Sequence, residues 1–231
     1  MVNDSYFTKN AFSDAEAVAR YTEGPIRFVP GFVDMQRMAT VLLAERVPDE
    51  GRVLVLGAGG GLELKAFAEA HPRWHFDGVD PSTEMLKLAE KTLGRLSSRV
   101  NLHNGFIDLA PEGPFDGATC ILTMHFVSRE ERKRMASEIH RRLKPGAPFV
   151  VMHLSVPQNG NERAVWLSRY AAYAVSSGIE VELAKKAREA VDSQLTILTP
   201  EADNEILEDA GFSVVELFFV GFAFRGWIGY A

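Results

Sequence analysis

The stretch Val53-Leu54-Val55-Leu56-Gly57-Ala58-Gly59-Gly60-Gly61 decides the fold, together with Gly78-Val79-Asp80 at the end of a second apolar run that starts at Trp74. An apolar run without charge predicts a strand buried on both faces, as in a parallel sheet. The glycine cluster behind it lets the backbone approach a ligand, because glycine has no Cβ and tolerates positive φ. Asp80 follows Gly61 by 19 residues. An acid about that far along, at the end of the next strand, suits the hydroxyls of a ribose. Strand, glycine turn, helix, strand and acid together predict a nucleotide-type cofactor site. The glycine cluster alone would serve equally as a helix cap or a close-packing point.

Outward from this stretch, strands and helices alternate. Strands are expected at Arg52–Leu56, Trp74–Val79, Val100–His103, Phe115–Leu122 and Pro148–His153. Between them the pattern predicts helices over Leu62–Ala70, from about Pro81 to Leu96, and over Arg129–Leu143. Upstream, Ser13-Asp14-Ala15-Glu16 reads as a helix start, and apolar spacing predicts a helix from Phe32 to Arg46, stopped by Pro48. The tract 159–192 breaks the alternation and reads as two helices parted at Ser176-Ser177-Gly178. Thr199-Pro200-Glu201 opens a last helix, with Thr as cap, Pro in the first turn and an acid near the positive helix end. Ser213–Val220 and Ala223–Tyr230 read as a terminal antiparallel hairpin. The class is α/β with a doubly wound sheet, whose ligands bind at the carboxyl ends of the strands. The two-helix insertion is therefore expected as a lid over or beside that edge.

One domain is expected for 231 residues, divided into a helical cap (1–48), a cofactor core (50–155), the lid (159–192) and the terminal helix and hairpin (199–231). The net charge of −6 and pI near 5.6 do not call for nucleic acid. The single cysteine, Cys120, lies in an apolar run and reads as an inert buried thiol. The polar, acidic start predicts no signal peptide, and the apolar runs are too short to span a bilayer, so a cytoplasmic protein is expected. No metal-ligand spacing occurs.

From residue 50 to 155 the pieces Val53–Gly61, Gly78-Val79-Asp80-Pro81, Asn104-Gly105-Phe106-Ile107-Asp108, Phe115-Asp116-Gly117 and Leu143-Lys144-Pro145-Gly146 resemble, in order and spacing, a class I S-adenosylmethionine-dependent methyltransferase. The resemblance implies a seven-stranded, mostly parallel Rossmann-like sheet. Val29-Pro30-Gly31-Phe32, Leu42–Arg46, the Gly178–Arg188 helix and Ala210-Gly211-Phe212 further resemble the tRNA wobble-uridine carboxymethyltransferase subfamily. Those enzymes use carboxy-S-adenosylmethionine and hold its extra carboxylate with a lid arginine, where Arg188 falls. Phe32, Phe106 and Ile121 replace a tyrosine, an aspartate and an asparagine of that pattern, each losing a polar contact. A diverged relative using ordinary S-adenosylmethionine is expected, with carboxy-S-adenosylmethionine as the alternative.

The resemblance implies contacts to the cofactor from Phe32, Gly57, Ala58, Gly59, Gly61, Asp80, Pro81, Met85, Phe106, Ile107, Leu122 and Thr123. Asp80 takes the ribose hydroxyls, or caps the next helix, or both. Met85 and Ile107 sandwich the adenine, or fill the core. Asp108 replaces the lost adenine contact, or is a solvated acid. For catalysis His125 is the candidate base, since imidazole titrates near neutrality, with His153 behind it. Arg188 is a candidate anion fork, or a solvated charge beside Lys185 and Lys186. Trp166, Tyr170 and Tyr173 form a helical stripe that packs or stacks on substrate. The basic run Arg129, Arg132, Lys133, Arg134, Arg141, Arg142 and Lys144 is interleaved with glutamates, so a salt-bridged helix is the default and RNA contact the minority reading. The expected function is methyl transfer to a small molecule. A carboxymethyltransferase acting on tRNA is the alternative, and a non-catalytic cofactor-binding protein is a third. A homodimer is left open, and no membrane partner is expected.

Overall fold

The computed structural model describes Val18 and residues 23–231. The proposed helix start at Ser13–Glu16 lies outside the described residues. Seven strands form one sheet: β1 (Arg52–Leu56), β2 (His75–Asp80), β3 (Val100–Asn104), β4 (Gly117–Ile121), β5 (Pro148–Leu154), β6 (Ser213–Gly221) and β7 (Phe224–Tyr230). Their order is β3-β2-β1-β4-β5-β7-β6. The first five run parallel, and β7 joins β5 antiparallel, with β6 outermost. The chain order reverses between β1 and β4, the kind of position where ligands of such sheets bind.

Side chains alternate across each strand, so β1 feeds both faces. Val53 and Val55 enter a core with Phe28, Leu43, Leu64, Phe67, Leu167 and Ala187, while Leu54 and Leu56 enter another with Met135, Ile139, Ile206 and Trp227. The first core is built by helices α1 (Gly24–Phe28), α2 (Phe32–Ala44), α3 (Leu62–Ala70), α6 (Gly160–Ser176) and α7 (Val181–Gln194). The second is built by α5 (Arg129–Arg142) and α8 (Pro200–Asp209). Helix α4 (Thr83–Leu93) packs beside α3 over β2 and β3.

Local chemistry sets the ends. Ser82, Ser128, Asn159 and Thr199 cap α4, α5, α6 and α8 by accepting an N–H from the first turn. No residue of the pair α6–α7 lines the cavity at the ends of β1 and β4. Tyr170 packs on Phe28 and Phe224, Tyr173 on Phe222, and Ala174, Ala184 and Val191 join the first core. The pair therefore stands by the end of β5 and the β6–β7 turn, because its apolar face matches the one left open there. Edge strand β6 carries two register shifts against β7, between Ser213 and Glu216 and between Leu217 and Phe219.

Candidate cofactor site

The glycine turn after β1 is held tightly. Gly57, Gly59 and Gly61 all have positive φ, and Gly57 and Ala58 donate their N–H groups to Val79 O at 2.8 and 3.0 Å. A Cβ on Gly57 would meet Thr123 Oγ1 at 1.9 Å. Gly61 serves packing, since its Cβ would lie 2.9 Å from Ala89 Cα. Asp80 ends β2 with both oxygens engaged: Oδ2 accepts Gly59 N–H and Oδ1 accepts Ser82 N–H, each at 2.9 Å. Its cap reading is thereby corrected, for Ser82 caps α4 and Asp80 orients Ser82. A carboxylate offers about four lone-pair sites, so ligand hydroxyls still find acceptors there. Burial raises the Asp80 pKa, against the two N–H groups that lower it.

In front of Asp80 opens a cavity of about 640 Å³. It brings together Gly57, Gly59, Asp80, Pro81, Met85, Phe106, Ile107, Leu122 and Thr123 from the expected set. Met85 and Ile107 are buried and Phe106 is exposed. Leu122 has φ 57°, a left-handed conformation rare for a branched residue, and turns the chain where β4 ends. Thr123 donates to Ile121 O at 3.1 Å. The charged residues lining the cavity are Asp80, Glu84 and Glu131, and no lysine, arginine or histidine lines it among the described residues.

A second chamber of about 20 Å³ lies on the other side of the glycine turn, lined by Phe32, Gln36, Gly57–Gly60, Leu62, Glu63, Ile121 and Leu122. It takes in Phe32 and Ala58 from the expected set. The sequence reading missed Gln36 and Glu63. The signal for Glu63 was its place one turn before Phe67, on the buried face of α3. Met135 and Glu131 of α5 were also missed, because α5 reaches the cavity only through tertiary packing.

Other expected residues stand elsewhere. His125 is buried outside the cavity, and its Nδ1 accepts Leu154 N–H at 3.3 Å. Burial first, then His153 and Arg132, lower its pKa well below the usual range. This corrects its reading as a cavity base: in the folded chain it is an anchor between two strand ends. His153 lies beside Asp203 and Arg132, at 3.2 and 3.3 Å from its Nε2, and Arg132 Nη2 donates to Met124 O and Thr196 O at 3.0 and 2.7 Å. Arg132 also pairs with Asp203, both nearly inaccessible. Burial raises the Asp203 pKa, but His153 and Arg132 leave it below the ordinary carboxylate range. Arg188 meets Ser168 Oγ at 3.5 Å on the neighbouring helix and does not line the cavity. Asp108 pairs with Arg134 at 2.6 Å and also stays outside, which removes its adenine role. Trp166, Tyr170 and Tyr173 are absent from the cavity wall, and Trp166 lies under Arg169 and Arg225 instead. Every cation of the basic run is ion-paired: Arg129 with Glu205, Arg132 with Asp203, Lys133 with Asp209, Arg134 with Glu131 and Asp108, Arg141 and Arg142 with Glu138 and Glu112, and Lys144 with Asp116.

Residues 53–146 match a family model described as a methyltransferase domain. A carboxy-S-adenosyl-L-methionine synthase of Campylobacter lari is 22% identical over 218 residues, covering 94% of this chain and 93% of that protein. The synthase of Wolinella succinogenes is 29% identical and covers 100% of this chain and 96% of that protein. Among solved structures, human N-acetylserotonin methyltransferase with S-adenosylmethionine superposes with a TM-score of 0.64 at 15% identity, over 95% of this chain and 57% of that one. Residues 53–146 thus resemble a methyltransferase domain, and the chain shares the fold of solved methyltransferase structures.

Proposed function

We propose that the large cavity binds S-adenosylmethionine and that the chain transfers its methyl group to a small-molecule acceptor. The observation that carries this reading is the charge of the cavity. Asp80, Glu84 and Glu131 line an otherwise largely apolar wall without a cation among the described residues, which suits a ligand with a positive sulfonium. Asp80 would accept the ribose hydroxyls, Met85 and Ile107 would enclose the adenine, and Phe106 would border it. The bent turn at Gly57 and Leu122 would hold the sulfur end near Thr123.

Bound there, the cofactor would supply an electrophilic methyl group for an acceptor's lone pair. The protein's own part is orientation and exclusion of water, the main terms for such a donor. His125 takes no part as a base in this account, since it does not reach the cavity.

A second reading is that the cofactor is carboxylated, or that the chain makes the carboxylated form. The names of the curated relatives, which match over nearly their whole length, favour it. Arg188 would then have to reach the site by movement or from a second copy. Mass spectrometry of nucleosides released from the purified protein separates the readings. Plain S-adenosylmethionine or its demethylated product is expected. The carboxylated form would reverse the preference, and failure of the protein to retain or bind any such nucleoside would sink both.

A further inference from the structure

Four residues of the cavity wall, Leu122, Thr123, Phe126 and Val127, come from the turn that follows β4. Strand β4 leaves the sheet there. Leu122 N–H donates to Met152 O of β5 at 2.6 Å, and the positive φ of Leu122 then carries the chain away. The next donor of β5 on that side, Leu154 N–H, finds the ring of His125 in place of a strand, and Nδ1 accepts it at 3.3 Å. Thr196 N–H, from the segment after α7, donates to His125 O at 2.9 Å. Arg132 of α5 donates to Met124 O at 3.0 Å. The turn is thus held from β5, from α5 and from the segment after α7, and two of these ties end on His125.

The tie to β5 tolerates one protonation state. A ring nitrogen that accepts a backbone N–H carries no proton, so neutral His125 holds its proton on Nε2. A second proton has only Nδ1 to go to, where it faces Leu154 N–H and breaks the bond. The charged ring also meets a positive neighbour, for Arg132 of α5 stands beside His153 of β5, and Asp203 of α8 is already paired with that guanidinium. Arg132, His153 and Asp203 are the charged and titratable groups that act on His125, and all four side chains are buried. His153 has the same preference. Its Nε2 lies 3.2 Å from Asp203, while its Nδ1 has no hydrogen-bond partner among the described residues, so a proton there is a buried donor without an acceptor. Burial, ahead of any other cause, lowers the pKa of both rings.

We propose that His125 is a positioning residue whose neutral ring holds the turn after β4 in place, so that acid releases this part of the cavity wall. A proton on Nδ1 cuts the tie to β5, and the imidazolium moves into water as the turn opens, since Arg132 repels it inside and Asp203 is already engaged. Phe126 and Val127 then leave the wall, and the cavity loses an apolar side. The release leaves the sheet intact, for β4 and β5 stay paired from Ala118 to Ile121. The consequence for binding rests on the reading of the cavity as the S-adenosylmethionine site; the tie itself does not.

Residue-resolved amide hydrogen exchange tests the tie, expressed as protection factors so that intrinsic rates cancel. The open turn exposes an imidazole of ordinary pKa near 6.5, while the closed one holds it lower, so the closed form loses ground as pH falls. Opening should rise about twentyfold between pH 7 and pH 5. Leu154 N–H of the native chain is expected to lose protection by that factor, while Val150 N–H in the middle of β5 keeps its own. His125→Asn offers an oxygen near the place of Nδ1 and does not titrate, so its Leu154 protection should stay level. Equal falls in both chains overturn the proposal, and so does a fall at Val150 as large as at Leu154, since acid is then loosening the whole sheet. Should His125→Asn not fold, the imidazole 15N resonances of the native chain decide. The neutral Nε2–H form is expected at pH 7, and a ring charged there or protonated on Nδ1 overturns the tie. Calorimetry with S-adenosylhomocysteine links the turn to the cavity. Between pH 7 and pH 5 its affinity should fall about fivefold or more further in the native chain than in His125→Asn, titration of Asp80 being common to both. Parallel losses overturn the positioning role. If the native chain does not bind at pH 7, the cofactor reading fails, while the exchange result still decides the tie.

Discussion

Asp80 joins the glycine turn to the start of α4 before any ligand arrives, since its two oxygens accept the Gly59 and Ser82 N–H groups. Asp80→Ala should therefore lower affinity for S-adenosylmethionine by a few kcal/mol, as charged hydrogen bonds of about 1.5–3 kcal/mol each are lost. Calorimetry on the folded variant checks this, and unchanged affinity would remove Asp80 from the site. Glu63 couples stability to pH. Its pKa in the folded chain is raised from 4.5 to about 8, so the ligand-free fold is favoured below pH 4.5 and loses that contribution as pH climbs to 8. Glu63→Gln should narrow this loss, which by linkage is at most about 5 kcal/mol. Urea titrations of both chains at pH 5 and 8 measure it; parallel pH profiles would contradict the buried carboxyl. Asp80 was legible because a position after a strand and a fixed spacing announce it. Glu63 was not singled out because a glutamate in a helix usually faces solvent, and only the packing of α3 against β4 turns it inward.

At the level of elements, the turn between β1 and α3 tolerates no side chain at its first glycine. Gly57→Ala puts a Cβ into Thr123 at a backbone angle that disfavours alanine. The expected outcome is loss of cofactor binding together with a lowered melting temperature, read by thermal denaturation with and without S-adenosylhomocysteine. Helix α5 is fixed by the buried Arg132, which binds Asp203 of α8 and the carbonyls of Met124 and Thr196. Arg132→Met leaves Asp203 buried without its main partner and should cost about 3–5 kcal/mol, read by urea unfolding. Asp203→Asn added to it should restore part of that. Strand and helix positions were largely legible, within a residue or two for β1, α3, β5 and α5, because hydrophobic period and capping residues fix them locally. The seating of α6 and α7 was not. Their composition marks two amphipathic helices, while the surface they cover depends on Phe28, Phe222 and Phe224, far away in sequence.

At the scale of the whole molecule, the one basic concentration of the sequence is neutralised in pairs. The seven cations between Arg129 and Lys144 are each matched by a carboxylate, and the total charge is −6. Binding to tRNA through this run should therefore be weak and change little with salt, since its cations are already paired. Filter binding across salt concentrations tests this, and a steep dependence with micromolar affinity would restore the RNA reading. The outer edge of the sheet has its own consequence. Strand β6 exposes Val214, Leu217 and Val220 beside a row of unpaired ladder groups, an invitation for two molecules to continue each other's sheet. Register shifts of this kind bend a strand and interrupt its row of ladder groups, which works against edge-to-edge pairing. A variant with a straightened β6 should therefore scatter more light on concentration than the native chain.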